Sequence, residues 1–211
     1  MRRKIMFIVA IAVAIAIVLP ATQKAGSANN ASKAAPAPME TVPISKKLQA
    51  ERVKRGEYLV TIGSCDDCHT PWVMGPQGPH PDMTRRLSGH PADLVMPPAP
   101  KLPPGPWQWV AAGTNTAFAG PWGVSYTRNL TPEEVSGLGI WTEEMFIKTM
   151  RTGRHMGVSR PILPPMPWQS LQKASDEDLK SIYAFLRTLK PIKNEVPDPI
   201  IAPMPEPPKA E

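Results

Sequence analysis

Cys65, Cys68 and His69 stand together in "IGSCDDCHTPW", residues 62–72, and these are the only two cysteines of a 211-residue chain that has four histidines. Two thiols three positions apart at a helix end can add across the two vinyl groups of a haem, giving thioethers that do not dissociate. The adjoining imidazole then reaches the iron from the same side. Cys-x-x-Cys-His is the attachment pattern of haem c. The other readings of the pair ask for more than the chain provides. Zinc needs two further ligands, and His80 and His90 are spaced too widely for the usual histidine pair. A thioredoxin-like redox pair expects a βαβ context. A disulfide between Cys65 and Cys68 would leave His69 without a role. Haem c, with its iron, is the expected cofactor, and the single motif implies one haem.

The sixth position of the iron decides what such a site does. A methionine thioether opposite the histidine gives a saturated, low-spin centre suited to passing electrons. Of the methionines that follow the motif, Met145 and Met150 fall in a stretch with helical apolar spacing, Met74 is close to His69 in the chain, and Met204 is near the C-terminus. Met166, in "RPILPPMPWQSL", is flanked by Pro164, Pro165 and Pro167, which fix the backbone and lower the entropy cost of presenting one side chain. Met166 is the expected second axial ligand, with Met156 in "GRHMGVSR" as the alternative. An open position would instead suit a haem enzyme, of peroxidase or nitrogen-oxide reductase type, or a gas-binding sensor.

Three stretches read as the helices that must hold these groups. In "ISKKLQAERVKRGEYLVTIGS" the apolar face is irregular and Gly63 marks a stop just before the cysteines. In "WTEEMFIKTMRTGRH", Thr142 caps, acids occupy the first turn and Gly153 ends the helix. In "SDEDLKSIYAFLRTLKP", Ser175 caps and Leu179, Ile182, Tyr183, Leu186 and Leu189 form a stripe that stops before Pro191. No convincing alternating strand is visible. Three modest helices bury little core by themselves, which again asks for a large apolar group at the centre.

The chain has 28 prolines, concentrated in residues 31–43, 90–107 and 196–211. Proline-rich segments without apolar periodicity are read as unpacked: a tether, an internal loop and a tail. The N-terminus carries Arg2, Arg3 and Lys4, then an apolar run to Leu19 and small polar residues, the pattern of an export signal or an uncleaved anchor. Residues 1–28 are so assigned, 29–44 as linker, 45–193 as one domain with an insert at about 74–127, and 194–211 as tail. Arg2, Arg3, Lys4 and Lys24 account for most of the net charge of +6, so loss of that stretch leaves 20 bases against 18 acids and removes the case for nucleic-acid binding. The expected location is periplasmic, possible membrane association resting on the N-terminus.

"RGEYLVTIGSCDDCH", "NLTPEEVSGLGIWTEEMFIKTMRTGRH", "ILPPMPW" and "SDEDLKSIYAFLRTL" together resemble a class I c-type cytochrome, in particular the haem domains of cytochrome subunits of bacterial membrane-bound alcohol and gluconate dehydrogenases. The resemblance implies an all-α cytochrome c-like fold whose first and last helices cross at Gly56, with Ile182 and Phe185 packed across the contact. It implies Cys65 and Cys68 as thioether attachments, His69 as proximal and Met166 as distal ligand. Asn129, Thr131 and Trp168 match positions that lie along or beside the haem, although a plain turn or core role fits them equally. His155 either approaches a haem propionate or faces solvent. An electron carrier rather than an enzyme is implied, with a dehydrogenase as donor and a quinone-linked or oxidase complex as acceptor. The pattern departs from those subunits in having one attachment motif, and from compact cytochromes in the long insert.

Overall fold

The structure, a computed structural model, describes residues 44–203. The expectations for residues 1–28, for the linker up to residue 43 and for Met204 lie outside the described residues. The described elements run in chain order α1 (Lys46–Ile62), α2 (Cys65–His69), β1 (Trp72–Gly75), β2 (Gly78–Pro81), β3 (Val110–Ala111), β4 (Ala117–Gly120), β5 (Gly123–Tyr126), α3 (Glu143–Thr152), α4 (Trp168–Leu171), α5 (Asp176–Leu186) and β6 (Ile200–Ile201). Among the described residues no helix is long and apolar enough to cross a membrane.

The three long helices start where a side-chain oxygen can accept from an orphan backbone N–H. Ser45 accepts from Leu48 N, Thr142 from Met145 N and Ser175 from Asp178 N. Gly63 closes α1, and Gly153 closes α3 in the left-handed conformation with φ 64°. The last helix stops at Leu186, a turn before Pro191, where the ladder tightens and the N–H groups of Thr188 and Leu189 donate three residues back, to the carbonyls of Phe185 and Leu186.

Helices α1 and α5 cross in direct contact at Gly56. A Cβ built there would lie 1.9 Å from the Ser181 carbonyl oxygen and 2.8 Å from Phe185 Cβ, so only glycine allows the two backbones this approach. Around the crossing Val60, Phe146, Leu179, Ile182, Phe185 and Leu186 form the buried core. Arg52 and Glu177 clamp the same pair from outside, with Nη2 donating to Oε2 at 2.9 Å.

The expectation of an all-α fold is corrected by two antiparallel sheets, which make the fold mixed α/β. β1 and β2 form a hairpin with Gly75 opposite Gly78, and β3-β4-β5-β6 form a four-stranded sheet in that order. The strands are two to four residues long and rich in Gly, Ala and Pro, too short to register as alternation. The β1–β2 and β4–β5 hairpins turn on Gly-Pro-x-Gly, residues 75–78 and 120–123, which matches the turn preference for Pro second and Gly fourth.

The sheet also corrects the reading of the C-terminal stretch as an unpacked tail. Val196 is buried, Ile200 pairs with Val124 and Ile201 with Gly123. Asn194 fastens the segment, its Nδ2 donating to the carbonyls of Ser88 and His90 at 2.7 and 2.8 Å, while its Oδ1 accepts from Ala92 N. The long loop before β3 is anchored by His90, which is fully buried and bonded to the Thr116 hydroxyl and the Leu94 carbonyl.

Candidate functional site

A cavity of about 880 Å³ opens between the helical layer and the four-stranded sheet. Helix α2 sits on its wall, entered through Ser64, whose φ of 53° puts a non-glycine residue in the left-handed region. Cys65, Cys68 and His69 all line the cavity, as does Met166. The structure thus brings the four sequence-expected residues to one enclosure. Met156 lines it too, as does Asn129, whereas Thr131 and Trp168 do not.

The two intervening residues of the motif fix α2 in place. Asp66 accepts from the Arg86 guanidinium, Nη2 to Oδ2 at 2.9 Å, and from the Thr70 hydroxyl at 2.8 Å; Thr70 Oγ1 in turn accepts from Leu87 N at 2.9 Å. The Arg86 guanidinium also lies over the Phe185 ring, 5.4 Å from its centroid, tying α2 to α5. The Asp67 carbonyl accepts from the Trp72 indole and the Asn115 amide.

His69 is buried, and its Nδ1 is 2.8 Å from the carbonyl oxygen of Arg128. A carbonyl only accepts, so Nδ1 carries the proton and Nε2 keeps its lone pair. That is the tautomer a metal-ligating histidine needs, with the second ring nitrogen held by the protein. Burial pushes the His69 pKa down, against the opposing effects of that hydrogen bond and of Asp66, which keeps the ring neutral.

Both cysteines are free thiols. Burial, reinforced by the neighbouring Asp66, raises Cys65 to about 11, and burial with Asp67 raises Cys68. A redox-active Cys-x-x-Cys pair requires the opposite shift, toward the thiolate. Among the described residues no group of three or more His, Cys, Asp or Glu side chains could hold a metal ion, which leaves the zinc reading without ligands.

Met166 is half-buried and packs on the core, in the loop leading into α4. The sheet braces this loop from the other side: Ser125 Oγ of β5 donates to the Pro164 carbonyl at 2.6 Å. Asn129 and Thr131 instead build the turn at Pro132. Asn129 Oδ1 accepts from Thr131 N and Oγ1, and its Nδ2 donates to Ser136 Oγ and the Ile192 carbonyl. The Trp168 ring fills the space a side chain would need at Gly153, 2.5 Å from where a Cβ would stand.

Sequence reasoning missed Phe118, Ser125, Thr127, Arg128 and Arg160 as cavity residues, along with Val196 of the returning segment. The repeated Gly-Pro-x-Gly turns were the signal that could have exposed the sheet. The enclosure suits a large, mostly apolar group. It is mostly apolar, two free thiols and a neutral imidazole stand on its wall, and the buried Thr127 hydroxyl on its lining has no hydrogen-bond partner among the described residues.

No family model matches the chain. It is similar to the cytochrome subunit of fructose dehydrogenase from Gluconobacter japonicus, 29% identical over 160 residues, which cover 75% of this chain and 25% of that protein. The cytochrome c subunit of a quinone alcohol dehydrogenase from Gluconobacter oxydans (strain 621H) is 29% identical over 150 residues, 69% of this chain and 24% of its own length. The cytochrome c subunit of gluconate 2-dehydrogenase from Pantoea cypripedii is 32% identical over 133 residues, 63% and 22% respectively. The chain spans about a quarter of the length of these relatives. These similarities, at 29–32% identity, support a cytochrome c haem domain related to the cytochrome c subunits of fructose, alcohol and gluconate dehydrogenases.

Proposed function

We propose that the chain is an electron carrier in which Cys65 and Cys68 would hold one haem c, and His69 and Met166 would ligate its iron. The observation that carries this reading is the gathering of both motif thiols, a histidine with Nε2 left free, and the proline-flanked Met166 on one apolar cavity. A haem ligated by one histidine and one methionine supplies a one-electron couple with a raised potential and no free position for substrate.

The chain's own contribution is positional. Asp66, through Arg86 and Thr70, holds α2 so that the thiols and the imidazole present together. The Arg128 carbonyl fixes the His69 ring and its tautomer, and Ser125 steadies the backbone two residues before Met166. Apolar walls exclude water, which limits the reorganisation that accompanies a change of charge. The names of the relatives point to a dehydrogenase as electron donor, and the export-like N-terminus to a place outside the cytoplasm. A quinone-linked or oxidase complex is the proposed acceptor.

Oxidised and reduced spectra of the purified protein, recorded with those of Met166→Ala, test the ligation. A c-type reduced spectrum with a methionine-to-iron charge-transfer band that vanishes in the variant is the expected result. A band that survives the substitution removes Met166 from the site. Rapid carbon monoxide binding by the reduced wild type, without denaturant, would overturn the carrier reading in favour of an open-position enzyme or sensor.

A further inference from the structure

One wall of the cavity is cationic. Arg128, His155 and Arg160 line it together, with Asp198 of the returning C-terminal segment as the acid among them. Arg128 is spoken for in part: its Nη1 donates to the carbonyls of Val196 and Pro197 at 3.2 and 3.0 Å, and lies 3.7 Å from Asp198 Oδ1. The guanidinium of Arg160 makes no hydrogen bond or ion pair among the described residues, although the residue is half-buried. His155 is also half-buried, with its ring edge-on to Trp141. Thr127, next to Arg128, adds a buried hydroxyl without a partner on the same lining.

This arrangement is costly as it stands. Two half-buried guanidinium groups and a half-buried imidazole share this lining. Asp198 is mostly solvent-exposed, at 89%, and a single screened carboxylate does not balance two guanidinium ions. Partly buried like charges and an orphaned hydroxyl on a shared wall call for an anionic partner with hydrogen-bond acceptors.

We infer that Arg128, Arg160, His155 and Thr127 form the anchoring site for the carboxylate arms of the tetrapyrrole, and that Asp198 on the returning segment offsets their field. The inference rests on the haem reading above, since it is that group which brings two carboxylates into the cavity. It assigns the stretch after β5 and the C-terminal segment a part in setting the reduction potential. Cations beside the site favour the reduced, less positive state; the acid favours the oxidised one.

Equilibrium redox titration of the holoprotein, at fixed pH and ionic strength, tests this with Arg160→Gln, Arg128→Gln, Thr127→Val, Asp198→Asn and the remote surface control Lys47→Gln. The expected results are a lower potential for both arginine variants and a smaller rise for Asp198→Asn, with Arg160→Lys restoring most of the loss. Arg160→Gln is the cleaner of the two, because Arg128→Gln also releases the Val196 and Pro197 carbonyls. Thermal melts of the holoprotein add a second readout. Thr127→Val destabilises it if the hydroxyl donates to a bound carboxylate, and leaves it unchanged or more stable if the hydroxyl is unpartnered there too. Arginine variants that shift the potential no further than Lys47→Gln does, together with a neutral Thr127→Val, overturn the inference. A wild type whose pyridine haemochromogen shows no haem c overturns the function reading itself, and the two failures are thereby distinct.

Discussion

The α1/α5 crossing and the β5/β6 edge are each closed by a glycine, and a Cβ at either would stand 1.9 Å from a backbone oxygen: Ser181 O for Gly56, Ile200 O for Gly123. The same clash has different reach. Gly56 lies under the core, where helices that carry most of the large buried side chains depend on the approach. Gly123 lies at a hairpin turn with φ +104°, where the dependent element is a two-residue edge strand. The helical half thus sets whether the chain folds, and the sheet half sets how the cavity is walled.

Substitution at the two glycines breaks this comparison most directly. Gly56→Ala is expected to cost at least about 3 kcal/mol in urea unfolding, since the neighbour is backbone and cannot yield by a rotamer change. Gly123→Ala is expected to cost about 1–2 kcal/mol, chiefly from a strained φ, while releasing residues 194–203 to limited proteolysis. Equal losses at the two sites would mean that the returning segment belongs to the cooperative core. Ser125→Ala removes the hydroxyl that bonds the Pro164 carbonyl and is expected to cost about 1 kcal/mol. If the sheet braces the Met166 loop, the variant also binds added imidazole more readily at the iron, which a spectral titration would read.

The smallest effect is on the acid side. Hydrogen bonds from Lys180 and then Arg52 hold the Glu177 carboxyl below its ordinary value. A carboxyl depressed in the folded state contributes stability that is present above its unfolded pKa, roughly 4.3, and is lost as the pH falls through the folded one. Glu177→Gln is therefore expected to lower the melting temperature slightly at neutral pH and to flatten its fall in acid. An unchanged acid slope would show that this exposed clamp adds nothing to the α1/α5 contact.

The helical half was legible because its signals are local. Caps at Thr142 and Ser175, the stops at Gly63 and Gly153 and the 3.6-residue stripe of α5 each lie within a turn or two of the residues they govern. The Cys-x-x-Cys-His spacing is local in the same sense, and Met166 could be singled out from its flanking prolines. The sheet was not legible, because strands of two to four residues carry no readable period and their partners are chosen over long distances. The proline count misled in the same region: residues 194–203 are held by Asn194 and by β6 despite having no apolar repeat. Arg128 illustrates the limit, since its backbone carbonyl serves His69 from 59 positions away and no side-chain pattern announces it.

Asn194 reaches across 106 positions to Ser88 and 104 to His90. Contacts of that separation carry a large loop-closure entropy and form late, after local helices are already in place. The thiols of α2 are therefore in place before residues 194–203 settle, and the wall that this segment builds is the late one to close.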